Sequence, residues 1–278
     1  MIRGPSPSAR PIDSRGNAAV RRARALERDR SAREREGLCL AWGLRLAREV
    51  LEAGAQVRRV FAAPRLEESP EGGVLLAQLG RSKVQVLRAT TRVLESIVPG
   101  CGDQGVVMEV VQPRHGLREL LSPGPVALLM AHGVQDPGNL GSMVRTAWGL
   151  GARGVVVLEG CADPFGSRSV RASMGAVFRV PVVGAATGRV LEEIGRAGIQ
   201  IVAADARGGR RPSEVDLARP SAFAFGNEGA GLPAEILRAA GARVRIPMAA
   251  GAPSLNVHAA AAALLYEAFR QRGFAGAP

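Results

Sequence analysis

From residue 126 to about 270 the chain alternates short apolar or β-branched runs with helix-length segments, and nothing else in it constrains the fold as strongly. Runs stand at 126–131 and 154–159, and recur near 179–183, 199–204, 222–226 and 243–247. Strands that alternate with helices need crossover connections, and crossovers build parallel sheets covered on both faces. The expected class is therefore α/β. In such a sheet ligands bind beyond the carboxyl ends of the strands, so the loops that follow each strand are where chemistry is expected.

Three of those loops stand out. The first is DPGNLGSMVRTA at 136–147. Asp136-Pro137-Gly138 forms a turn, Asn139 is placed to cap the next helix, and Arg145 lies six residues on. Asn139 and Arg145 are not stacked on that helix but can border one cleft. The second is FGNEGAGLP at 225–233. Its Gly226, Gly229 and Gly231 let a ligand approach the backbone, Glu228 brings a carboxylate into the tight loop, and Pro233 suits a first helical turn. The third runs from a strand ending at Ile246-Pro247 through small residues to Ser254, a good N-cap, and Asn256; an Ala-rich helix follows over about 254–270. A fourth stretch, 167–181, carries Arg168 and Arg171 near Ser173 and Gly175, as either a phosphate-contacting helix face or a solvated one.

A nicotinamide-dinucleotide reading competes here, because Glu159 lies about 20 residues past the Gly138 turn, where a ribose-binding acid would stand. Gly138 and Gly141 give only G-x-x-G, and the loop from Ala131 to Gly138 is too long for the tight first turn of that motif.

Upstream, residues 36–112 alternate helix and strand in a smaller α/β unit. Leu38, Ala41, Leu44, Ala47, Val50 and Leu51 fall at helical spacing, with Gly54 as a stop; strands are expected at 57–62, 84–87 and 105–111, and helices near 73–80 and 90–97. Residues 113–125, rich in Pro and Gly, read as a linker to a domain over 126–272. Residues 1–35 hold ten Arg against four acids. Rich in Pro, Ser and Gly at its start, that segment reads as a disordered basic arm, helical over 18–35 only on a partner.

The formal net charge is +12, carried almost wholly by Arg, since Lys83 is the single lysine. Such a chain is expected to meet a polyanion, nucleic acid first. Cys39, Cys101 and Cys161 lie far apart and far from the three His residues, so neither a zinc site nor a disulfide framework is expected and no metal is called for. No apolar run approaches the ~18–20 residues of a membrane span, and no secretory h-region opens the chain. Reduced thiols and the absence of such segments fit the cytoplasm.

Taken in order and spacing, GNLGSMVRTA (138–147), GNEGAGL (226–232) and IPMAAGAPSLNV (246–257) resemble the three motifs of the SpoU/TrmH family of the SPOUT superfamily, and SRSVRASMGAVFRVP (167–181) is similar to that family's connecting segment. The resemblance covers roughly 125–270. Residues 36–112 resemble, more loosely, the RNA substrate-binding domain of some members, itself similar to a small ribosomal RNA-binding protein. The resemblance implies S-adenosylmethionine as cofactor, methylation of an RNA ribose 2′-hydroxyl (ribosomal RNA of the 23S type first, tRNA second), a SPOUT-type parallel sheet with a trefoil knot, and a homodimer. It implies cofactor contacts at Gly226, Ile246 and Leu255, a reaction site of Asn139, Arg145, Glu228, Ser254 and Asn256, and RNA contacts at Arg168 and Arg171. One departure is visible: Ala250 stands where the family commonly has Gly, with Gly251 next. The rivals are a catalytically inactive RNA-binding module of the same fold, a nicotinamide-dependent oxidoreductase, and methylation of a base.

Overall fold

A computed structural model describes residues 10–82, 84–122, 124, 127–252 and 254–276. The chain folds as two compact units. The first takes residues up to Pro113 together with Phe165–Phe178; the second takes Arg114–Pro164 and Arg179 onward.

The first unit runs α1 (Ala18–Arg28), α2 (Arg30–Glu36), β1 (Leu38–Trp42), α3 (Leu44–Glu52), β2 (Val57–Ala62), α4 (Pro64–Glu68), α5 (Pro70–Arg81), β3 (Gln85–Arg88), α6 (Thr91–Ile97) and β4 (Val106–Val111). Its sheet has the order β1-β4-β2-β3, antiparallel except for the β2–β3 pair. Two expectations fail here. Residues 10–35 are not a disordered arm, while residues 1–9 of that segment lie outside the described residues. Val20, Ala23 and Leu26 recur every third position along α1 and are wholly buried, in one cluster with Phe61, Val93, Leu94 and Val107. The arm's arginines are used locally as well. Arg33 is buried and donates to the Leu26 carbonyl at 2.6 Å and the Glu27 carbonyl at 3.1 Å, satisfying the open end of α1. Average composition hid an amphipathic face three residues wide.

Residues 38–42 are a strand, not the first turn of a helix. They pair with β4 from Leu38↔Val111 to Trp42↔Val107, and Leu38 through Ala41 are all buried. A strand covered on both faces shows no alternation, so a continuous apolar run fits either period. The helix begins only after Gly43.

In the second unit, α7 (Leu117–Leu120) lies inside the stretch read as a linker, with Leu117 and Leu120 in the core; Pro123 and Pro125 of that stretch lie outside the described residues. Then follow β5 (Ala127–Ala131), α8 (Pro137–Gly149) and β6 (Gly154–Val157). Helix α9 (Ser167–Ala172) belongs to the first unit, although the sequence reading placed it in the second domain. β7 (Val182–Gly184), α10 (Thr187–Arg196), β8 (Gln200–Ala204), β9 (Ser221–Phe225), α11 (Ala234–Ala239), β10 (Ala242–Val244) and α12 (Val257–Gln271) complete the unit. The sheet order is β10-β8-β9-β5-β6-β7, parallel throughout. The central strands ALLMA and SAFAF are buried at every position, as a sheet covered on both faces requires.

Within the first unit, Ser167 Oγ donates to Glu27 Oε1 at 2.7 Å, while Glu27 Oε2 is buried without a hydrogen-bond partner. Burial raises the Glu27 carboxyl above its ordinary value, outweighing the Ser167 hydrogen bond and the charges of Arg33 and Arg168. The folded state thus favours the neutral acid, and stability is lost as pH rises through the folded value. Glu27→Gln removes that cost and keeps an acceptor for Ser167. Its melting temperature is expected to exceed the parent's by a margin that widens from pH 4 to pH 8; a constant margin in thermal melts across that range refutes the assignment.

Candidate active site

The parallel sheet brings the ends of β5, β9 and β10 to one edge, and the three singled-out loops leave from there. The β9 loop has the tightest construction. Asn227 and Gly231 exchange backbone hydrogen bonds of 3.2 and 2.8 Å, folding 227–231 into a closed turn. A Cβ on Gly226 would collide with the Gly231 carbonyl and the Leu232 nitrogen, so only glycine fits there. The Asn227 side chain accepts from the nitrogens of Gly229 (2.9 Å) and Ala230 (3.0 Å) and donates to the Gly133 carbonyl (2.9 Å), tying the β9 loop to the β5 loop. The sequence reading passed over Asn227. Its signal was an Asx turn, an Asn followed by small residues whose amides it can receive.

The loop holds up Glu228, and the other two loops close on it. Asn139 Nδ2 donates to Glu228 Oε1 at 2.7 Å, and Asn256 Nδ2 donates to the same oxygen at 3.3 Å and to Asn139 Oδ1 at 3.0 Å. Three residues separated by up to 117 positions thus form one triangle. Among the described residues no hydrogen bond reaches Glu228 Oε2.

Two capping expectations are corrected. Asp136, not Asn139, caps α8 by accepting from the Asn139 backbone at 2.7 Å, which leaves the Asn139 side chain free to reach Glu228. Asn256, not Ser254, caps α12 by accepting from the His258 nitrogen at 2.9 Å, so that helix begins later than the sequence suggests. A cap residue presents both an acceptor and a donor, and Asn256 spends one on the helix and the other on the triangle.

Beside the triangle lies a cavity of about 720 Å³, within the range of small-molecule sites. Gly226, Ile246, Leu255, Glu228 and Ser254 all line it. Leu232, Leu237 and Leu264 give it an apolar wall, and Asp205, Glu214 and Glu228 add carboxylates. Such a pocket suits a flat apolar ring system joined to a cation. The Ala250 departure is absorbed locally. Gly251 takes φ +77 in a turn closed by Ala252 N to Ala249 O at 3.1 Å, so the next position supplies the left-handed residue.

Not every expected site residue joins the group. Arg145 is exposed on α8 and shares no hydrogen bond with the triangle. Arg168 and Arg171 lie on α9, in the first unit. The Arg171 guanidinium sits 3.5 Å above the Trp42 ring, held flat by cation–π attraction. Glu159, the acid on which the dinucleotide reading turned, is spent on α10: it accepts from Thr187 N at 2.9 Å and from the Thr187 hydroxyl, and the latter bond leads in lowering its pKa. None of the three cysteines is in a disulfide. Among the described residues no group of three His, Cys, Asp or Glu could hold a metal, and no helix is long and apolar enough to cross a membrane.

Residues 127–266 match the SpoU rRNA methylase family, and residues 17–107 match an MRM3-like substrate binding domain. The chain belongs to the SpoU rRNA methylase family. The 23S rRNA (uridine(2479)-2′-O)-methyltransferase of Streptomyces viridochromogenes is 33% identical, over 96% of this chain and 94% of the relative. Among solved structures, the SpoU methyltransferase AviRb from the same organism, in complex with the cofactor AdoMet, is 32% identical with a TM-score of 0.82, over 94% of this chain and 100% of that one. The AdoMet-bound rRNA methyltransferase from Sinorhizobium meliloti is 33% identical with a TM-score of 0.81, over 94% and 97%. This SpoU methylase is therefore an enzyme with S-adenosylmethionine as its cofactor, and the nicotinamide reading is set aside. The substrate-binding match begins at residue 17, which agrees with the burial of α1.

Asn227→Ala removes three hydrogen bonds, each worth about 0.5–1.5 kcal/mol, and unties two loops. S-adenosylmethionine affinity by titration calorimetry is expected to fall at least tenfold while circular dichroism stays native. Unchanged affinity would show that this staple does not shape the pocket.

Proposed function

We propose that this chain methylates the ribose 2′-hydroxyl of a nucleotide in ribosomal RNA, with Glu228, Asn139, Asn256 and Ser254 at the reacting centre and Arg145 on the adjoining phosphate. The observation that carries the reading is the triangle: a carboxylate whose one oxygen is fixed by two amides from other loops, at the rim of the cavity lined by Gly226, Ile246 and Leu255.

The residues fit the cofactor. The glycine-only bend at 226 exposes backbone to the cavity, the leucines offer an apolar wall, and the carboxylates complement a positive charge. S-adenosylmethionine supplies a methyl group already activated on a sulfonium, for an oxygen nucleophile aligned opposite the sulfur. The protein then has two tasks, orientation and relief of the hydroxyl proton. Orientation can contribute ~7–11 kcal/mol. Glu228 is oriented through Oε1, which leaves Oε2 to accept a hydrogen bond from the hydroxyl and favour its deprotonation. A guanidinium is a fork of N–H donors and not a base, so the part of Arg145 is to clamp phosphate and lower the proton affinity of the neighbouring hydroxyl. Ser254 and Asn256, at the mouth of α12, orient the sugar.

The rRNA target rests on the relatives' names and on the match of residues 17–107 to a substrate-binding domain. In the first unit, Arg171 stacked on Trp42 with Arg168 one turn away makes a flat cationic platform suited to bases and phosphates. The same reading includes a homodimer, a knotted C-terminal segment and residence in the cytoplasm. An inactive RNA-binding module would have no need of three loops meeting on one carboxylate.

Arg145→Ala and Glu228→Ala are each expected to lower methyl transfer from tritiated S-adenosylmethionine to a 23S rRNA transcript by 10²-fold or more, with cofactor binding still measurable. Alkaline-resistant linkage at the product nucleotide marks ribose as the acceptor. Near-parent turnover in both variants, or an alkali-labile product methylated on the base, refutes the proposal.

A further inference from the structure

The cavity carries a basic feature that the reaction chemistry above leaves unused. Arg207, Arg211 and Arg245 line it beside Asp205 and Glu214. The loop that bears the first two is not loosely hung. Asp205 N donates to the Val244 carbonyl at 3.0 Å, Arg210 N to the Arg243 carbonyl at 3.0 Å, and Arg245 N to the Arg210 carbonyl at 2.9 Å. The β8 loop is therefore laced to the end of β10, and Arg207 and Arg245 are presented on one stitched wall.

The local acids are engaged by backbone amides. Asp205 Oδ1 accepts from the Arg207 backbone nitrogen at 2.9 Å, closing a turn. Glu214 Oε2 accepts from the Arg211 backbone at 2.8 Å, and its Oε1 lies 3.9 Å from Arg211 Nε. Arg211 thus has a carboxylate, whereas the Arg207 and Arg245 guanidiniums are exposed and have no side-chain partner among the described residues. The paired N–H donors of both guanidiniums therefore remain open to a ligand at the cavity mouth, and guanidinium pairs with phosphate through such donors.

We propose that Arg207 and Arg245 form a phosphate clamp that holds the RNA backbone at the cavity mouth, as positioning residues distinct from Arg145. The inference rests on the methyltransferase reading above.

The test uses the full chain, a 23S rRNA transcript and a KCl series. Arg207→Gln/Arg245→Gln is expected to raise KM for RNA about tenfold with a much smaller change in kcat. The plot of log(kcat/KM) against log[KCl] should flatten by roughly 0.7–0.9 per arginine, the increment for one phosphate contact. Arg→Lys at both positions restores most of the slope, because the charge returns. Arg238→Gln, on α11 and outside the cavity lining, leaves KM and slope at parent values. An unchanged slope and KM in the double Gln variant overturns the clamp. So does weakened S-adenosylmethionine binding without RNA, which would assign the pair to the cofactor's carboxylate. If the parent chain transfers no methyl group, the underlying reading fails instead, and the two failures are thereby distinguished.

Discussion

Everything at the site depends on one carboxylate being held by amides from distant parts of the chain. Glu228 accepts from Asn139 and Asn256, and the latter two also bond to each other. A carboxylate on a free loop would sample many orientations, and amides from separate elements meet it only where their strands end along one edge of the sheet. The parallel sheet puts the carboxyl ends of β5, β9 and β10 along one edge, with β8 between β9 and β10. β9 and β5 are hydrogen-bonded neighbours from Ala127↔Ser221 to Ala131↔Phe225, so their loops leave the sheet together. Asn227 then ties the two loops at Gly133. The geometry of the triangle is in this sense a property of the parallel sheet.

The caps show how few groups do several tasks. Asp136 takes the helix amide that Asn139 was expected to serve, and Asn139 is thereby released for the triangle. Asn256 caps α12 with its oxygen and reaches Glu228 with its nitrogen. Both arrangements place polar groups at helix N-termini, where the macrodipole favours the negative charge of Glu228. The cavity next to them combines a leucine-rich wall with three carboxylates and three guanidiniums.

The first unit extends the same economy. Arg33, read as part of a solvated arm, closes α1, and Arg171, from the stretch 167–181, lies on Trp42. The segment 165–178 departs from the second unit's strand succession and packs in the first, where Ser167 meets Glu27. The first unit is thus built partly from residues that a linear division of the chain assigns elsewhere.

What the residues alone determined was the class and the chemistry-bearing loops. Alternating runs at 126–270 required a parallel sheet, and the glycine spacing at 226–231 required a close backbone approach, because both follow from local sterics and period. Gly226, Ile246 and Leu255 were named by the resemblance of motif order, and the fold brings all three into the lining of one cavity. Only the tertiary structure decided which side chains touch. It chose Asp136 over Asn139 and Asn256 over Ser254 as caps, made 38–42 a strand and 18–36 a packed helical pair, and left Arg145 exposed on its helix. Those outcomes turn on competition among partners brought together by folding, and a one-dimensional pattern holds no information on which of two eligible groups lies nearer.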